Sequence, residues 1–527
     1  MGFLLFFAIS YILLSISLYF VFPKAGVEGW KGLVPGLNFV VWAQLAGRKP
    51  AHAAWLLFPI VNIFIYASLA IDMVRSFRHY TFWESVLAVI ATPFFFLYLG
   101  LTGKEKYDGP TLVKERDYRN QLKAAHDAKN NRQYQKLEAA NPYKRSGLRE
   151  WAEAIIFAVF AAAFIRMFLI EAYVIPTSSM EDSLLVGDFL FVSKAHYGIR
   201  TPQTVAMIPL LHNRIPGLDA ESYWEKPSLD YYRFPALETI DRNDLIVFNY
   251  PEGDSVYIFP ERTWSIHDLR RGSVPQPFSQ QIELGIKKLV TRPMDKMDHY
   301  IKRCVAVSGD SLEVRNRQLY INGKVGNNPS KLEYAYSLQL PLIGINTRNF
   351  SDWGISKEDQ QYQSTLILTN EQKQKLQGIA PNVKIEHAVM QDAPGRVFPH
   401  DKAHFPNWTI DNYGPIWIPK KGATITIDTS NIALYQRVIH IYEKNDFAIR
   451  DGKIFINGKE TNRYTFKQNY YWAMGDNRHN SEDSRIWGYV PEENMVGKPL
   501  FIWFSLKEGE MSNGVNWKRV FTSADKK

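Results

Sequence analysis

Ile175-Pro176-Thr177-Ser178-Ser179-Met180 follows directly on an apolar segment, Ala154 to Ile170, interrupted only by Arg166. The stretch marks a change of texture. Before it lie long apolar runs and one polar linker. From Ala172 onward come short runs rich in Val, Ile, Tyr and Phe, bounded by Gly, Asn, Asp and Pro, which is the pattern of strands and turns. The fold expected is a mainly β region behind an α-helical transmembrane N-terminal module. A serine held just outside a hydrophobic anchor is placed to attack something that also lies at a membrane surface.

A chain of 527 residues is too long for one core, so two or more domains are expected. Hydrophobic residues at 46% and aromatics at 14% exclude a disordered protein. The mean hydropathy of −0.23 averages a greasy first hundred residues with an ordinary remainder. The net charge of +9 is also uneven, because Lys and Arg residues crowd the linker from Lys104 to Arg149. Basic residues between apolar spans report membrane topology, so nucleic acid is not an expected partner. The single cysteine, Cys304, forbids an intrachain disulfide and leaves the compartment undecided. Mid-strand, with no activating pattern around it, it reads as a small buried apolar residue.

Met1 to Pro23 carries no full charge, is long enough to cross a bilayer, and lacks the basic start and small-residue cleavage site of a signal peptide. Pro50 to Ile71 and Ser85 to Gly103 read as further spans, and Trp151 to Ile170 as the last. Leu33 to Gly47, with Pro35-Gly36, reads as interfacial or re-entrant. The basic linker belongs in the cytoplasm, so the last span delivers Ser179 to the far side. The N-terminus is outside with four spans, or inside with five. The expected organisation is a multispan module over 1–103, a basic cytoplasmic linker over 104–150 and an anchor over 151–170. A β domain follows in two parts, 171–324 and 447–527, around an inserted β-rich subdomain at 325–446.

Expected strands include Leu245–Tyr250, Tyr300–Val307, Ser311–Val314, Thr424–Ile427, Arg437–Tyr442 and Leu500–Leu506. Two passages resemble each other, Gln318 to Lys324 and Lys453 to Lys459. Each has an Asn-Gly turn after a strand, a strong hairpin signal. A helix is expected around Thr369–Gly378.

Two more blocks bear chemistry. One is Tyr300-Ile301-Lys302-Arg303, and the other runs from Gly475-Asp476-Asn477-Arg478 through Ser481, Asp483, Ser484 and Arg485. A serine hydroxyl needs a base to take its proton during attack. Lysine serves if it is neutral, which requires its pKa to fall from about 10.4. Reaching roughly 8 costs about 3.3 kcal/mol, within what burial supplies. Along a strand Lys302 shares its face with Tyr300, Cys304 and Ala306, none of them anionic. Each block also has a plainer reading: a solvent-facing Lys302–Arg303 pair, a Thr-Ser-Ser turn or helix cap, a polar loop closed by Asp483 and Arg485. His400-x-x-x-His404 lacks the adjacent glutamate of a zinc protease, and no G-x-S-x-G elbow supports a histidine triad.

The blocks together resemble the type I bacterial signal peptidases, membrane serine/lysine proteases. The matching pieces are I-P-T-S-S-M with L-L-V-G-D-F-L-F-V-S-K (Ile175 to Lys194), N-D-L-I-V-F (Asn243 to Phe248), Y-I-K-R-C-V-A-V-S-G-D (Tyr300 to Asp310) and G-D-N-R-H-N-S-E-D-S-R-I-W-G-Y-V-P (Gly475 to Pro491). The resemblance implies a signal-peptidase-like β fold and removal of signal peptides from preproteins after small residues at −1 and −3, through an acyl-enzyme. It implies Ser179 as nucleophile, Lys302 as general base, and an oxyanion hole from the Ser179 N–H and Thr177. Ser481 matches the residue that orients the lysine amine, and Asp476, Asp483 and Arg485 support the site. Tyr173, Ile175, Met180, Leu184, Tyr300 and Ile301 fall where the family builds its substrate pockets, and Phe501 to Phe504 resembles its membrane-touching strand.

The same resemblance implies no cofactor or metal. It implies a place in the bacterial cytoplasmic membrane with the catalytic part outside. Preprotein signal peptides and the lipid bilayer are the partners, with the secretion translocon a candidate. Asp182 and Ser178 stand where the family commonly has proline and glycine, and Ser308 where it has proline. Two rivals are a self-cleaving Ser/Lys repressor protease and a non-enzymatic preprotein binder. The anchor and the last block argue against the first, and the presence of both Ser179 and Lys302 against the second.

Overall fold

The computed structural model describes all residues except 1, 58–60, 145–146, 205, 212, 216–217, 219, 227, 261, 330, 339–349, 351–354, 356–364, 380–383, 389–395 and 526–527. It divides into two units, Met1–Val159 and Phe160–Lys527.

The first unit is helical. Helix α1 (Gly2–Val21) packs along α5 (Thr92–Leu101). Gly100 permits that approach, since a Cβ there would lie 2.6 Å from Phe20 Cβ. Leu18, Phe22, Trp42, Leu69, Phe96 and Leu99 form the core between them. Among the described residues, two helical segments are long and apolar enough to cross a membrane, Ala8–Ala25 and α8 (Gly147–Phe168).

Other expected spans are broken. Ser85 to Gly103 is divided between α4 (Phe82–Ile90) and α5, bent by 111°. The bend falls where Pro93, near the start of α5, has no N–H to continue the α4 ladder. Pro50 to Ile71 is divided between a 3-10 helix, Pro50–Leu57, and α3 (Val61–Arg75). At 15 residues, α3 is shorter than the roughly 20 that a straight span needs. Its buried Asp72 is paired with Arg48. The apolar stretch at 33–47 forms α2 (Leu37–Ala46), ten residues long.

The second unit is mostly β. Its main sheet contains β1 (Ile170–Val174), β2 (Asp188–Ser193), β3 (Leu245–Asn249), β4 (His299–Ala306), β5 (Tyr470–Met474), β6 (Val490–Pro491) and β7 (Met495–Ser505), with β8 (Thr522–Ser523) on the edge of β7. The order is β1-β2-β7-β3-β4-β5-β6, antiparallel throughout. Chain-distant strands are therefore neighbours: Lys302 on β4 lies opposite Ile246 on β3, and Arg303 opposite Met474 on β5. One face of this sheet packs around Leu190, Val247 and Ile502, the other around Phe248, Cys304 and Trp487.

Both Asn-Gly hairpins form. Asn322 and Gly323 have φ of 52° and 76°, Asn457 and Gly458 of 51° and 77°, as a two-residue turn with two left-handed positions requires. Their side chains act alike: Asn322 Oδ1 accepts from Ser311 N and Asn457 Oδ1 from Asp446 N, eleven residues upstream in each case. The helix expected near Thr369–Gly378 runs Asn370–Ile379.

Arg437–Tyr442 is not a strand. An α-helix over Ile432–Arg437 continues into a π turn over Val438–Tyr442. The β-branched run misleads locally. Across the longer window Ile432, Tyr435, Val438, Ile439 and Tyr442 are all buried, which is helical spacing.

Within 325–446, the strands Glu333–Leu338, Thr365–Thr369 and Ile385–His387 form their own sheet. Tyr413–Trp417 instead extends the sheet of the first hairpin, beside Ser311–Arg315.

Candidate active site

Strand β1 follows α8 and ends at Val174; past Ile175 and Pro176, Ser178–Met180 forms a single 3-10 turn. The first N–H groups of such a turn, the Ser179 N–H among them, have no partner within it. Thr177 is extended (φ −133°, ψ 155°), exposed, and makes no capping bond to the turn. The Thr-Ser-Ser tract is thus a turn, as its composition suggests, but its threonine hydroxyl is not spent on closing it.

Lys302 projects from the middle of β4 with its Nζ 2.6 Å from Ser179 Oγ and 3.1 Å from the Ile301 carbonyl oxygen. It is 4% exposed, so the solvent-facing alternative does not hold. Burial lowers its pKa to about 8, against the opposing pull of Asp483, Glu482 and Asp476. The anions come from the distant 476–483 loop rather than from the lysine's own strand face. The Tyr300 ring lies beside the amine, 5.7 Å from Nζ to its centroid. Such a lysine is neutral in a large fraction of molecules at mildly alkaline pH, a condition for a general base.

The 475–485 loop clasps the serine turn. Asn477 N donates to Ser179 O at 3.2 Å, Asn477 Nδ2 to Ser178 O at 3.3 Å, and Asn480 Nδ2 to Ser178 Oγ at 2.9 Å. Gly475 has no room for a side chain, since a Cβ there would meet Ser481 and lie 2.6 Å from Ser179 O. Asp476 receives Arg303 Nε and Nη2 at 2.9 and 2.6 Å, and Ser183 Oγ at 2.6 Å. Asp483 accepts from Gly475 N at 3.0 Å and pairs with Arg485 at 2.7 Å, while Arg485 also donates to the Arg478 carbonyl oxygen at 2.6 Å. Arg485 and the backbone donors hold the Asp483 pKa down, although burial alone would raise it.

Ser481 is different. Its Oγ is buried and has no hydrogen-bond partner among the described residues, so the orienting bond to Lys302 is not made here. Catalytic hydrogen bonds often tighten only when substrate binds.

Of the six pocket residues, Ile175, Met180 and Leu184 are buried in one apolar cluster, with Tyr173 and Ile301 packed against it. Tyr300 lies on the opposite face of the sheet, stacked on Tyr250 at 4.6 Å between ring centroids. Successive strand residues point to opposite faces, which separates Ile301 from Tyr300. On β7, Phe501 and Trp503 lie against Phe191 of β2.

The departures have structural consequences. Asp182 has φ 63°, which proline, fixed near −65°, could not adopt. Ser308 Oγ donates to Tyr470 O and accepts from Tyr470 N, bonds that a proline would lack.

Sequence reasoning missed Arg303, Asn477, Asn480 and Glu482 as parts of the site. The first three were visible beside residues already singled out, and only the fold gives their direction. It also missed that Glu333 of the 333–387 sheet exchanges backbone hydrogen bonds with Asp476 and Arg478.

Comparison with known proteins follows the same division. The family described as signal peptidase, peptidase S26, matches residues 148–387 and 418–504, well over half of the chain. A family of unknown function, DUF5684, matches residues 30–110. Similar curated proteins include one named signal peptidase I from Haemophilus influenzae, 27% identical over 70% of this chain and 74% of its own length. Others of that name come from Pseudomonas aeruginosa (21% identical, 73% and 81% covered) and Helicobacter pylori (23% identical, 71% and 91% covered).

Proposed function

The chain belongs to the signal peptidase, peptidase S26 family, and from that premise we propose that Ser179 and Lys302 perform its peptide cleavage as a catalytic dyad. The enzyme is a serine endopeptidase that removes signal peptides. The observation that carries the dyad is the 2.6 Å approach of a buried, pKa-lowered lysine to a serine hydroxyl.

In the proposed sequence, neutral Lys302 takes the Ser179 proton as Oγ attacks the carbonyl carbon of the scissile bond. The resulting oxyanion is held by the Ser179 N–H and the Thr177 hydroxyl. Removing one such donor typically costs about 10²–10³ in rate. The amine of the mature protein leaves with the proton carried by Lys302, and water, deprotonated by the same lysine, releases the signal peptide from Ser179. Ser481 orients the amine once substrate is bound, and the Arg303–Asp476 and Asp483–Arg485 pairs fix the loop. The apolar cluster around Ile175, Met180 and Leu184 with Tyr173 and Ile301, together with Tyr300 beside the amine, selects small residues at −1 and −3.

The catalytic unit is assigned to the extracytoplasmic side of a bacterial cytoplasmic membrane. The Lys/Arg-rich 104–150 segment preceding α8 supports this. The bilayer and the secretion translocon are the proposed partners, and 325–446 is treated as an insertion in the catalytic β domain.

The test is cleavage of a purified preprotein, with the new N-terminus identified by mass spectrometry. Cutting after the small −1 residue, lost when −1 or −3 is made large, is expected. Indifference to both positions would remove the pocket assignment.

A further inference from the structure

Three antiparallel bridges, Thr204 with Ser228, Met207 with Tyr223 and Arg214 with Glu221, fold one segment of the catalytic unit back on itself. Further backbone bonds close it: Ile208 N donates to Ser222 O, Trp224 N to Ala206 O and Ile215 N to Ala220 O. The hairpin is fastened to the loop before β4. Asn213 Nδ2 donates to Lys296 O at 3.1 Å, Asp295 Oδ2 accepts from Thr204 N at 2.9 Å, and the buried Tyr223 ring meets Lys296 Nζ at 5.0 Å. It is a fixed element with one side turned to the body of the unit.

The other side is apolar and exposed. Neighbouring residues of an extended chain face opposite ways, so Trp224 points out where Tyr223 points in. Leu210, Leu218 and Trp224 are 47%, 62% and 60% exposed, and apolar groups gathered on a folded surface mark a contact site. Helix α8 indicates what covers them. The Leu210 carbonyl oxygen accepts from Arg166 Nη1 at 2.6 Å, and Leu210 and Leu211 line one cavity with Ala163, Arg166 and Met167. Ala163 lies five residues before α8 ends at Phe168, about 7.5 Å back along the axis at 1.5 Å per residue. The hairpin therefore lies beside the last turns of the candidate span rather than beyond its end. Phe160 and Ile165 are exposed on the same turns, so apolar surface continues from the span to the hairpin.

We propose that the 204–228 hairpin is a second membrane-contact element, laid at headgroup level beside α8 with Leu210, Leu218 and Trp224 turned into the lipid. Tryptophan settles at that depth, with its ring at the acyl boundary and its N–H among the headgroups. Arg214, Glu221, Glu225 and Lys226 are also exposed on the hairpin. Charged side chains belong among headgroups and not in hydrocarbon, which sets the depth. With both signs present, the contact needs no anionic lipid. The inference rests on the reading of α8 as a span and is independent of the dyad.

The test is spin-label accessibility in the full chain, reconstituted in phosphatidylcholine vesicles. Cys304 is buried, and burial raises its thiol pKa, so it stays in place unlabelled. Leu210→Cys, Leu218→Cys and Trp224→Cys each carry one nitroxide. Phe160→Cys on α8 is the lipid reference, and Lys453→Cys, exposed on a polar hairpin, is the water reference. Preprotein cleavage in detergent shows that each labelled chain is folded, and Ala220→Cys, exposed on the same hairpin, replaces any site that fails. Oxygen concentrates in lipid and a nickel chelate in water, so the ratio of their collision rates with the label reports depth. At 210, 218 and 224 the ratio is expected to shift from the Lys453 value towards the Phe160 value. The Lys453 value at both 218 and 224, with the Phe160 label in lipid, overturns this proposal alone. A Phe160 label in water overturns the reading of α8 and the proposal with it. Low collision rates with both reagents on the hairpin would show that protein, such as a second copy of the chain, covers it, and would also overturn the proposal.

Discussion

Arg303 grips Asp476 through Nε and Nη2, at 2.9 and 2.6 Å, from the strand position next to Lys302. Neighbouring strand residues face opposite ways, so one strand both presents the lysine to Ser179 and anchors the loop that holds the serine turn. Arg303 and Asp476 are 4% and 0% exposed. Breaking a buried pair by neutralising one partner costs about 3–5 kcal/mol, because the other charge stays buried. Asp476→Asn is expected to lose that much stability in thermal or urea unfolding, and to lose activity below its melting range. A change under about 1 kcal/mol would mean that the pair does not brace the site.

Gly475→Ala tests how closely the loop and the serine turn meet. The new methyl group would stand 2.6 Å from Ser179 O. Overpacking typically costs about 1–3 kcal/mol, and a displacement of about 1 Å at a reacting group can cost about a hundredfold in rate. A large fall in kcat with modest destabilisation is expected. Wild-type kcat would show that the contact does not position Ser179.

Ser481→Ala separates orientation from packing. The buried hydroxyl has no partner among the described residues, and an unsatisfied buried group costs about 1–3 kcal/mol. Its removal should leave the unfolding midpoint unchanged or raise it. If Ser481 swings to the Lys302 amine on substrate binding, kcat falls while stability does not. Loss of stability with kcat retained would reverse both expectations.

Glu482→Gln is a pH experiment. The carboxylate is one of three that raise the Lys302 pKa against burial. Neutralising it should move the alkaline rise of the cleavage rate to lower pH, since the amine then loses its proton more readily. An unchanged midpoint would show that Glu482, already paired with Arg262, exerts no net pull on the lysine.

Much of the architecture was legible because it rests on local rules. Asn322-Gly323 and Asn457-Gly458 force their turns through left-handed backbone, and the strands around Leu245 and Tyr300 lie where short runs rich in Val, Ile, Tyr and Phe put them. Arg437–Tyr442 failed because Val438, Ile439, Ile441 and Tyr442 outweighed a helical period visible only from Ile432 onward. Apolar length alone likewise does not reveal the 111° bend between Phe82–Ile90 and Thr92–Leu101. Within the site, Ser179 and Lys302 were legible from motif and chemistry together. The burial of Lys302 was not, because it depends on β3, β5 and the 475–485 loop, far away in sequence. Tyr300 and Ile301, adjacent in the motif, lie on opposite faces of the sheet, as the alternation of a strand requires.

The most direct test is the pH dependence of preprotein cleavage from about pH 6 to 10, measured for wild type, Ser179→Ala and Lys302→Ala. The lysine must be neutral to act, so the wild-type rate should rise with pH through a midpoint near 8, and both variants should be inactive throughout. A rate independent of pH across that range, or cleavage persisting in Lys302→Ala, would contradict a buried lysine as the base for Ser179.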